Sequence, residues 1–443
     1  MLNDYASVSG NELWNTARLN AYIMNVGSPF TTGGPVCSCE TITPRLLGED
    51  FDAYTTPEAD PAPWYDVDTP ESAEFLGFLP LSVTGTNDNP RSRSVTNSVG
   101  GGGVFGPSRA LPRTITVTGL LLGTTCCGVD YGMQYLTEVL EGCTGDACDG
   151  DCFEMYNCCP EPGTTPEHFA ARNRRTFRRT ALVSGPTEIK RDGNGDCARS
   201  QCAAGGDVVT VEFVLVAGTP WAWTDPVPLL DVPMPQPDNT DCVTWCLSAA
   251  VIGPNFCAPG SCQFESCDAG QDPCGDPLNM IPAPPQPTAP ATAFCMPLSP
   301  ERACYTIDLT DRPAWSSDVP TITIAAGTRD LRNVRVTFYE KRNATDDCDA
   351  TADDQRCNPV NDFVISYVPA LNNVTIDGQI SRAVMACGDQ CTTSSTVYGN
   401  PDGAPVSVAP LSCALYCVCI EVDSLFPPAE DAQLSLSISG RGL

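Results

Sequence analysis

The stretch Leu111–Cys143, LPRTITVTGLLLGTTCCGVDYGMQYLTEVLEGC, constrains the fold of this chain more than any other. From Arg113 to Leu120 polar and apolar residues alternate, and β-branched side chains fill most positions, which is the pattern of a half-buried strand. After the Gly123–Gly128 break the period changes. Val129, Met133, Leu136 and Leu140 recur at helical spacing, Asp130 is placed to cap the helix start, and Gly142 stands where a C′ glycine belongs. The stretch predicts strand, tight connection and helix. Few other segments make a convincing helix, although Asn11–Ala21 fits either a short helix or an arm.

The remainder reads as strands and loops. Glu74–Val83 is a strand or strand pair, and Gly100, Gly101, Gly102 and Gly103 predict a flexible hairpin tip. A phosphate loop would need a following Gly-Lys-Ser/Thr, which is missing. The run from His168 to Val183 predicts a strand with arginines on both faces. Asp207–Trp223 gives the strongest strand pattern, with Val209, Val211, Phe213, Leu215 and Ala217 on one face. From Cys304 onward, Cys304–Leu309, Thr321–Ala326, Val334–Glu340, Phe363–Val368, Val374–Ile376, Ser381–Ala386, Leu415–Val422 and Leu434–Ile438 all alternate or run apolar. Ile376-Asp377-Gly378-Gln379 carries a two-residue hairpin signal. Many short strands in the last third predict a β-sandwich or jelly roll. The expected organisation is a first domain over 1–224, proline-rich linkers over 225–300 with a cysteine-rich insert at 242–274, and a C-terminal β-sandwich over 301–443.

Charge and cysteine content bound the function. A formal net charge of −30 over 443 residues argues against nucleic acid or an anionic membrane surface as partner. No stretch approaches the roughly 20 apolar residues of a membrane helix, and residues 1–20 lack a basic, then apolar, export signal. The chain nevertheless carries 26 cysteines, a load usual for an oxidising destination. Assembly inside a cell followed by release through lysis reconciles the two.

Candidate chemistry is sparse. His168 is the single histidine and sits beside arginines with no nucleophile motif, so a packing or surface role is expected. Cys37/Cys39, Cys242/Cys246, Cys387/Cys391 and Cys413/Cys417/Cys419 have ligand-like spacing, but no matched pair of CxxC motifs occurs, and disulfides are favoured over zinc. Cys197 with Cys202, and Cys348 with Cys357, are expected to be local staples. Asp192-x-Asn194-x-Asp196 and Asp347-x-Asp349 start like calcium loops but fail at the glycine, so solvated turns are expected. No cofactor, metal or catalytic residue is assigned, and the chain reads as a non-enzyme. The cluster Arg172, Arg174, Arg175, Arg178 and Arg179 suits salt bridges to the acidic surface of a neighbouring copy.

Several stretches taken together resemble a known family. PRTITVTGLLLGTTCCGVDYGMQYLTEVLEG, NRRTFRRTALVSGP and VVTVEFVLVAGTPWAW resemble the first domain of distal tail proteins (minor tail proteins) of long-tailed actinobacteriophages. DVPTITIAAGTRDLRNVRVTFYE and VISYVPALNNVTIDGQISRAVMAC resemble their C-terminal β-sandwich. The resemblance covers most of 70–223 and 305–390. It implies a mainly β protein, with a ring-forming β-sandwich that carries one helix and a long hairpin pairing with the neighbour. A galectin-like sandwich would project outward. It further implies a six-copy ring at the distal end of the virion tail, assembled in the host cytoplasm. Its neighbours would be the tail tube protein, the hub and other minor tail proteins, and the tape measure. The Gly100–Gly103 tip and Arg174, Arg175, Arg178 and Arg179 are the expected inter-subunit contacts. The alternative is an adhesin that grips host cell-wall glycan through the C-terminal sandwich, with Trp315, Tyr339, Tyr367, Tyr398 and Tyr416 available.

Overall fold

A computed structural model describes residues 1–26, 38–142, 150–193, 206–237, 243–246, 293–296, 301–314, 316–387, 390–423 and 425–442. The protein is mainly β. It divides into two compact units: Met1–Val227 with Trp315–Thr321 and Ser437–Leu443, and Pro228–Ala314 with Ile322–Leu436.

In the first unit β1 (Tyr5–Val8) and β2 (Asn11–Asn15) form a tight hairpin that leads into α1 (Thr16–Asn25). The helix starts at residue 16 because the Asn15 side chain accepts the Arg18 N–H at 3.2 Å. Of the two readings of this segment, helix holds for its second half. The segment is core: Leu13, Trp14, Leu19 and Tyr22 are buried, and Arg18 is 1% exposed. Its guanidinium is neutralised by Glu12 at 3.0 Å and Glu49 at 2.7 Å, and lies 4.5 Å from the Tyr54 ring centroid. Burial pushes the Glu12 carboxyl up, against the pull of Arg18.

Next come α2 (Glu71–Glu74), β3 (Phe75–Thr84), β4 (Arg91–Ser92), β5 (Val95–Asn97), β6 (Gly103–Phe105), β7 (Arg109–Ala110), β8 (Arg113–Gly123) and α3 (Cys126–Glu141). They are followed by β9 (Asp151–Tyr156), α4 (Pro166–Asn173), β10 (Arg174–Gly193), β11 (Asp207–Ala217) and β12 (Ala222–Trp223). The sheet runs β2-β1-β9-β10-β12, and β10 also bonds β11, which bonds β8, which bonds β3. Its core is aromatic. Trp14 meets Phe78 at 5.7 Å and Phe153 at 6.1 Å between ring centroids, and Phe78 meets Phe213 at 6.0 Å.

The strand–helix prediction holds for β8 and α3, with one correction. The cap is Thr125, whose hydroxyl accepts the Gly128 N–H at 3.1 Å, so the helix starts a turn before Asp130. A second correction concerns the start of the strand expected from His168 to Val183: Pro166–Asn173 is helix, and the strand begins at Arg174. Pro166 opens α4 and the Thr165 hydroxyl accepts the His168 N–H, a start signal that outweighs the arginine-rich pattern.

The second unit starts with β13 (Val227–Pro233), and β14 (Val243–Cys246) pairs with β15 (Ala293–Met296). Then follow β16 (Glu301–Asp308), β17 (Asp318–Ala325), β18 (Leu331–Glu340), α5 (Cys348–Asp354), β19 (Asn361–Val368), β20 (Asn373–Asp377), β21 (Arg382–Cys387), β22 (Gln390–Thr393), β23 (Val397–Tyr398), β24 (Leu415–Val422) and β25 (Gln433–Gly442). One sheet has the order β16-β24-β18-β19-β23, while β17, β20, β21 and β22 are neighbours in a second. Alternation sets the buried faces: Val334, Val336, Phe338, Phe363, Ile365, Val418 and Ile420 on one sheet, Ile322, Ile324, Val374 and Ile376 on the other. Every strand expected after residue 300 is present. The β20–β21 turn differs from expectation: Asp377 pairs with Arg382, so the loop holds four residues, with Asp377 accepting the Gln379 N–H at 2.8 Å.

α5 lies on the outer face of the five-stranded sheet. Cys348 is bonded to Cys417 and Cys304 to Cys419, and Arg302 reaches Asp349 at 3.1 Å and Asp353 at 2.8 Å. The expected Cys348–Cys357 staple is therefore absent, and Cys357 is an exposed free thiol. Asp347, read as part of a loop, caps α5 by accepting the Ala350 N–H at 3.1 Å. The cap fixes Cys348 in the first turn, where its side chain faces β24.

Candidate assembly surface: the hairpin arm

β3 and β8 are the two sides of one long hairpin whose halves meet different fates. At the root, Phe75 pairs with Gly123 and Phe78 with Leu121, and β11 covers all of β8 from Asp207↔Gly123 to Ala217↔Arg113. Phe75, Leu76, Phe78, Ile115, Val117 and Leu121 are each at most 2% exposed there. β11 ends at Ala217, before Gly218-Thr-Pro220, so the chain beyond Arg113 has no third strand to lie on.

The hairpin continues regardless. Arg91 pairs with Ala110 and Ser92 with Arg109, then Val95 with Phe105, Thr96 with Val104 and Asn97 with Gly103. The tip closes through Ser98 N–H to the Gly102 carbonyl at 2.9 Å and Gly101 N–H to the Ser98 carbonyl at 3.2 Å. Gly101 (φ +88°) and Gly102 (φ +83°) adopt the left-handed backbone this turn needs. The tetraglycine is thus a hairpin tip, as its sequence predicts.

The arm is anchored at its root. Gly85 has φ +87°, and a Cβ there would lie 1.9 Å from the Thr114 carbonyl oxygen. Arg113 is buried, with its guanidinium donating to the carbonyls of Gly85 at 3.3 Å, Thr86 at 2.5 Å and Pro220 at 2.9 Å. It also lies 5.3 Å from the Phe177 ring centroid. Desolvation pushes its pKa down. Sequence pattern marks Arg113 only as a polar strand residue and misses this clamp.

Past the root nothing among the described residues covers the arm. Val95 is 59% exposed, Val104 64%, Phe105 65% and Val99 fully so. A two-stranded ribbon is marginal alone, and among the described residues both of its edges are unpaired. Burying those four side chains is worth about 6 kcal/mol gross. Between Thr86 and Pro112 the arm carries Arg91, Arg93 and Arg109 against Asp88, a basic segment in an acidic chain. Apolar side chains, open edges and opposite charge to the rest of the chain make the arm the candidate partner surface of this unit.

The arginine cluster is placed on and beside β10. Arg174 forms a fork with Asp225, two bonds of 2.8 Å, with Glu154 at 3.9 Å. Arg175 donates to the carbonyls of Arg172 at 3.0 Å and Arg174 at 2.7 Å, and burial pushes its pKa down. Arg178 is half-buried; Arg179 is exposed with φ +57°, where the pairing with β9 shifts register. This bulge breaks the two-face alternation expected of a regular strand. His168 is exposed in the first turn of α4. Cys39 is bonded to Cys159, Cys126 and Cys127 are both disulfide-bonded, and Cys197, Cys202 and nearly all of the 242–274 insert lie outside the described residues. Among the described residues no group of histidine, cysteine or acidic side chains is placed to hold a metal, and no helix is long and apolar enough to cross a membrane.

No protein-family model and no curated protein matches the chain. Solved structures with a likeness to it include the Dit protein of phage SPP1, described as a paradigm of the hub adsorption apparatus in phages infecting Gram-positive bacteria. That likeness is at 10% identity and TM-score 0.34, over 83% of this chain and 95% of that one. A chain of the phage p2 baseplate, activated with strontium, gives 9% identity and TM-score 0.37 over 85% and 93%. The same baseplate activated with calcium gives 9% and 0.37 over 86% and 93%.

Proposed function

We propose that this chain is a structural protein of a phage tail tip, assembling as a six-copy ring that joins the tail tube to the hub and host-recognition proteins. The arm carries this reading: an anchored hairpin with an uncovered apolar tip has its purpose in another chain. The sequence resemblance over 70–223 and 305–390 names the kind of assembly, and the charge contrast between the arm and the rest of the chain favours a second copy as its acceptor. In this reading 1–224 forms the ring, 225–300 links, and 301–443 is a galectin-like sandwich. The Gly100–Gly103 tip and the exposed Arg179 face the neighbour, at the distal end of a tail assembled in the host cytoplasm. Arg174 and Arg175, expected there too, are engaged within their own chain. The chain performs no catalysis.

The native mass of the purified full chain tests this. Six-fold assembly supports the ring, and a strict monomer at every concentration contradicts it.

A further inference from the structure

One end of the second unit carries a cluster that neither core packing nor the arm explains. Arg332 on β18 and Tyr367 on β19 are register partners near the strand ends. The Arg332 guanidinium lies 5.4 Å from the Tyr367 ring centroid and 5.5 Å from that of Phe426, which is 46% exposed on the loop after β24. Asp330 accepts the Tyr367 hydroxyl at 3.2 Å and the Ala370 N–H at 3.0 Å, and stands 3.8 Å from Arg332. Asn333, at φ +52°, donates its amide to one Asp423 oxygen at 2.8 Å, while the Leu425 N–H holds the other at 2.8 Å. Backbone bonds and a left-handed residue thus fix two rings and four planar polar groups before any ligand arrives.

That combination fits a sugar. A pyranose offers a C–H face that packs on an aromatic ring and adjacent hydroxyls that pair with carboxylate, amide or guanidinium groups. Asp330 and Asp423 together offset Arg332, so the cluster carries no surplus positive charge to attract phosphate or carboxylate. An apolar protein surface fits worse, because it would strip water from Asp330, Arg332 and Asp423 and return no hydrogen bonds.

We propose that this end of the second unit binds a neutral saccharide, with pyranose rings on Phe426 and Tyr367 and hydroxyls bonded by Asp330, Arg332, Asn333 and Asp423. The site goes beyond the structural role and differs from a sheet-face lectin site. On the outer face of the five-stranded sheet α5 covers one part, Tyr339 is 2% exposed and Tyr398 is the exposed ring, while Tyr416 is buried on the opposite face with Val418 and Ile420. Trp315 lies outside the described residues.

Saturation-transfer NMR on the full chain tests the site, with maltotriose and triacetylchitotriose as neutral probes and glucose 6-phosphate as the anionic one. The expected result is transfer to ring C–H protons of at least one neutral probe. Phe426→Ala and Arg332→Gln each weaken binding by about tenfold, and Phe426→Tyr restores it. Native mass and melting temperature stay at wild-type values, which separates loss of the site from loss of assembly or fold. Four outcomes overturn the proposal. They are no transfer from either neutral probe, binding indifferent to both weakening variants, preference for the phosphorylated sugar, or crosslinks in the assembled particle that bury Phe426 against another protein.

Discussion

The root and the tip of the hairpin from Phe75 to Gly123 are made of similar residues and end in opposite surroundings. Phe78 at the root is 2% exposed and Phe105 at the tip 65%. The difference is the third strand. β11 pairs with β8 along its whole length and stops at Ala217, so root side chains gain a sheet and a helix above them while tip side chains gain only each other. An apolar residue in a strand therefore reports a partner surface without saying whether that surface is in the same chain.

Substitutions sharpen the contrast. Phe78→Ala opens a cavity between Trp14 and Phe213 and is expected to cost about 3–5 kcal/mol, read as a lower melting temperature of the protomer. Cys348→Ser removes a cross-link spanning 69 residues and is expected to cost about 2–4 kcal/mol. In the unreduced parent, peptide mapping should find Cys348 joined to Cys417 and Cys357 open to alkylation. Arg113→Met strands the Gly85, Thr86 and Pro220 carbonyls and is expected to cost about 2 kcal/mol, with faster hydrogen exchange across 85–112 but not across β11. Phe105→Ser should change protomer stability by less than about 0.5 kcal/mol while weakening self-association. A large loss of protomer stability in that variant would break the comparison, since it would mean that the tip packs within its own chain.

Much of this was legible in the sequence, and the misses have physical causes. Strands with a buried face show it directly, which is why Thr114–Val117, Val209–Ala217 and Leu415–Val422 read correctly. Helix starts depend on one capping group: Thr125 starts α3 a turn earlier than its apolar spacing suggests, and Thr165 and Asp347 start helices where the longer pattern reads as strand or loop. Cys348 lies close to Cys357 in sequence, but the capped helix turns it toward β24, so proximity along the chain misleads. The tip of the arm was readable from its glycines. The clamp was not, because a buried arginine held by three carbonyls leaves no pattern in neighbouring residues. The Arg332–Tyr367–Phe426 cluster is likewise assembled from three separate elements, and only tertiary structure brings it together.

The central claim is that the arm belongs to a neighbouring copy, and native mass measurement of an arm-truncated chain tests it most directly. Replacing Val95–Phe105 by a short Asn-Gly turn should leave the melting temperature of the protomer unchanged and yield monomers at concentrations where the parent is expected to assemble. A truncated chain that keeps the parent's assembled mass would contradict the account.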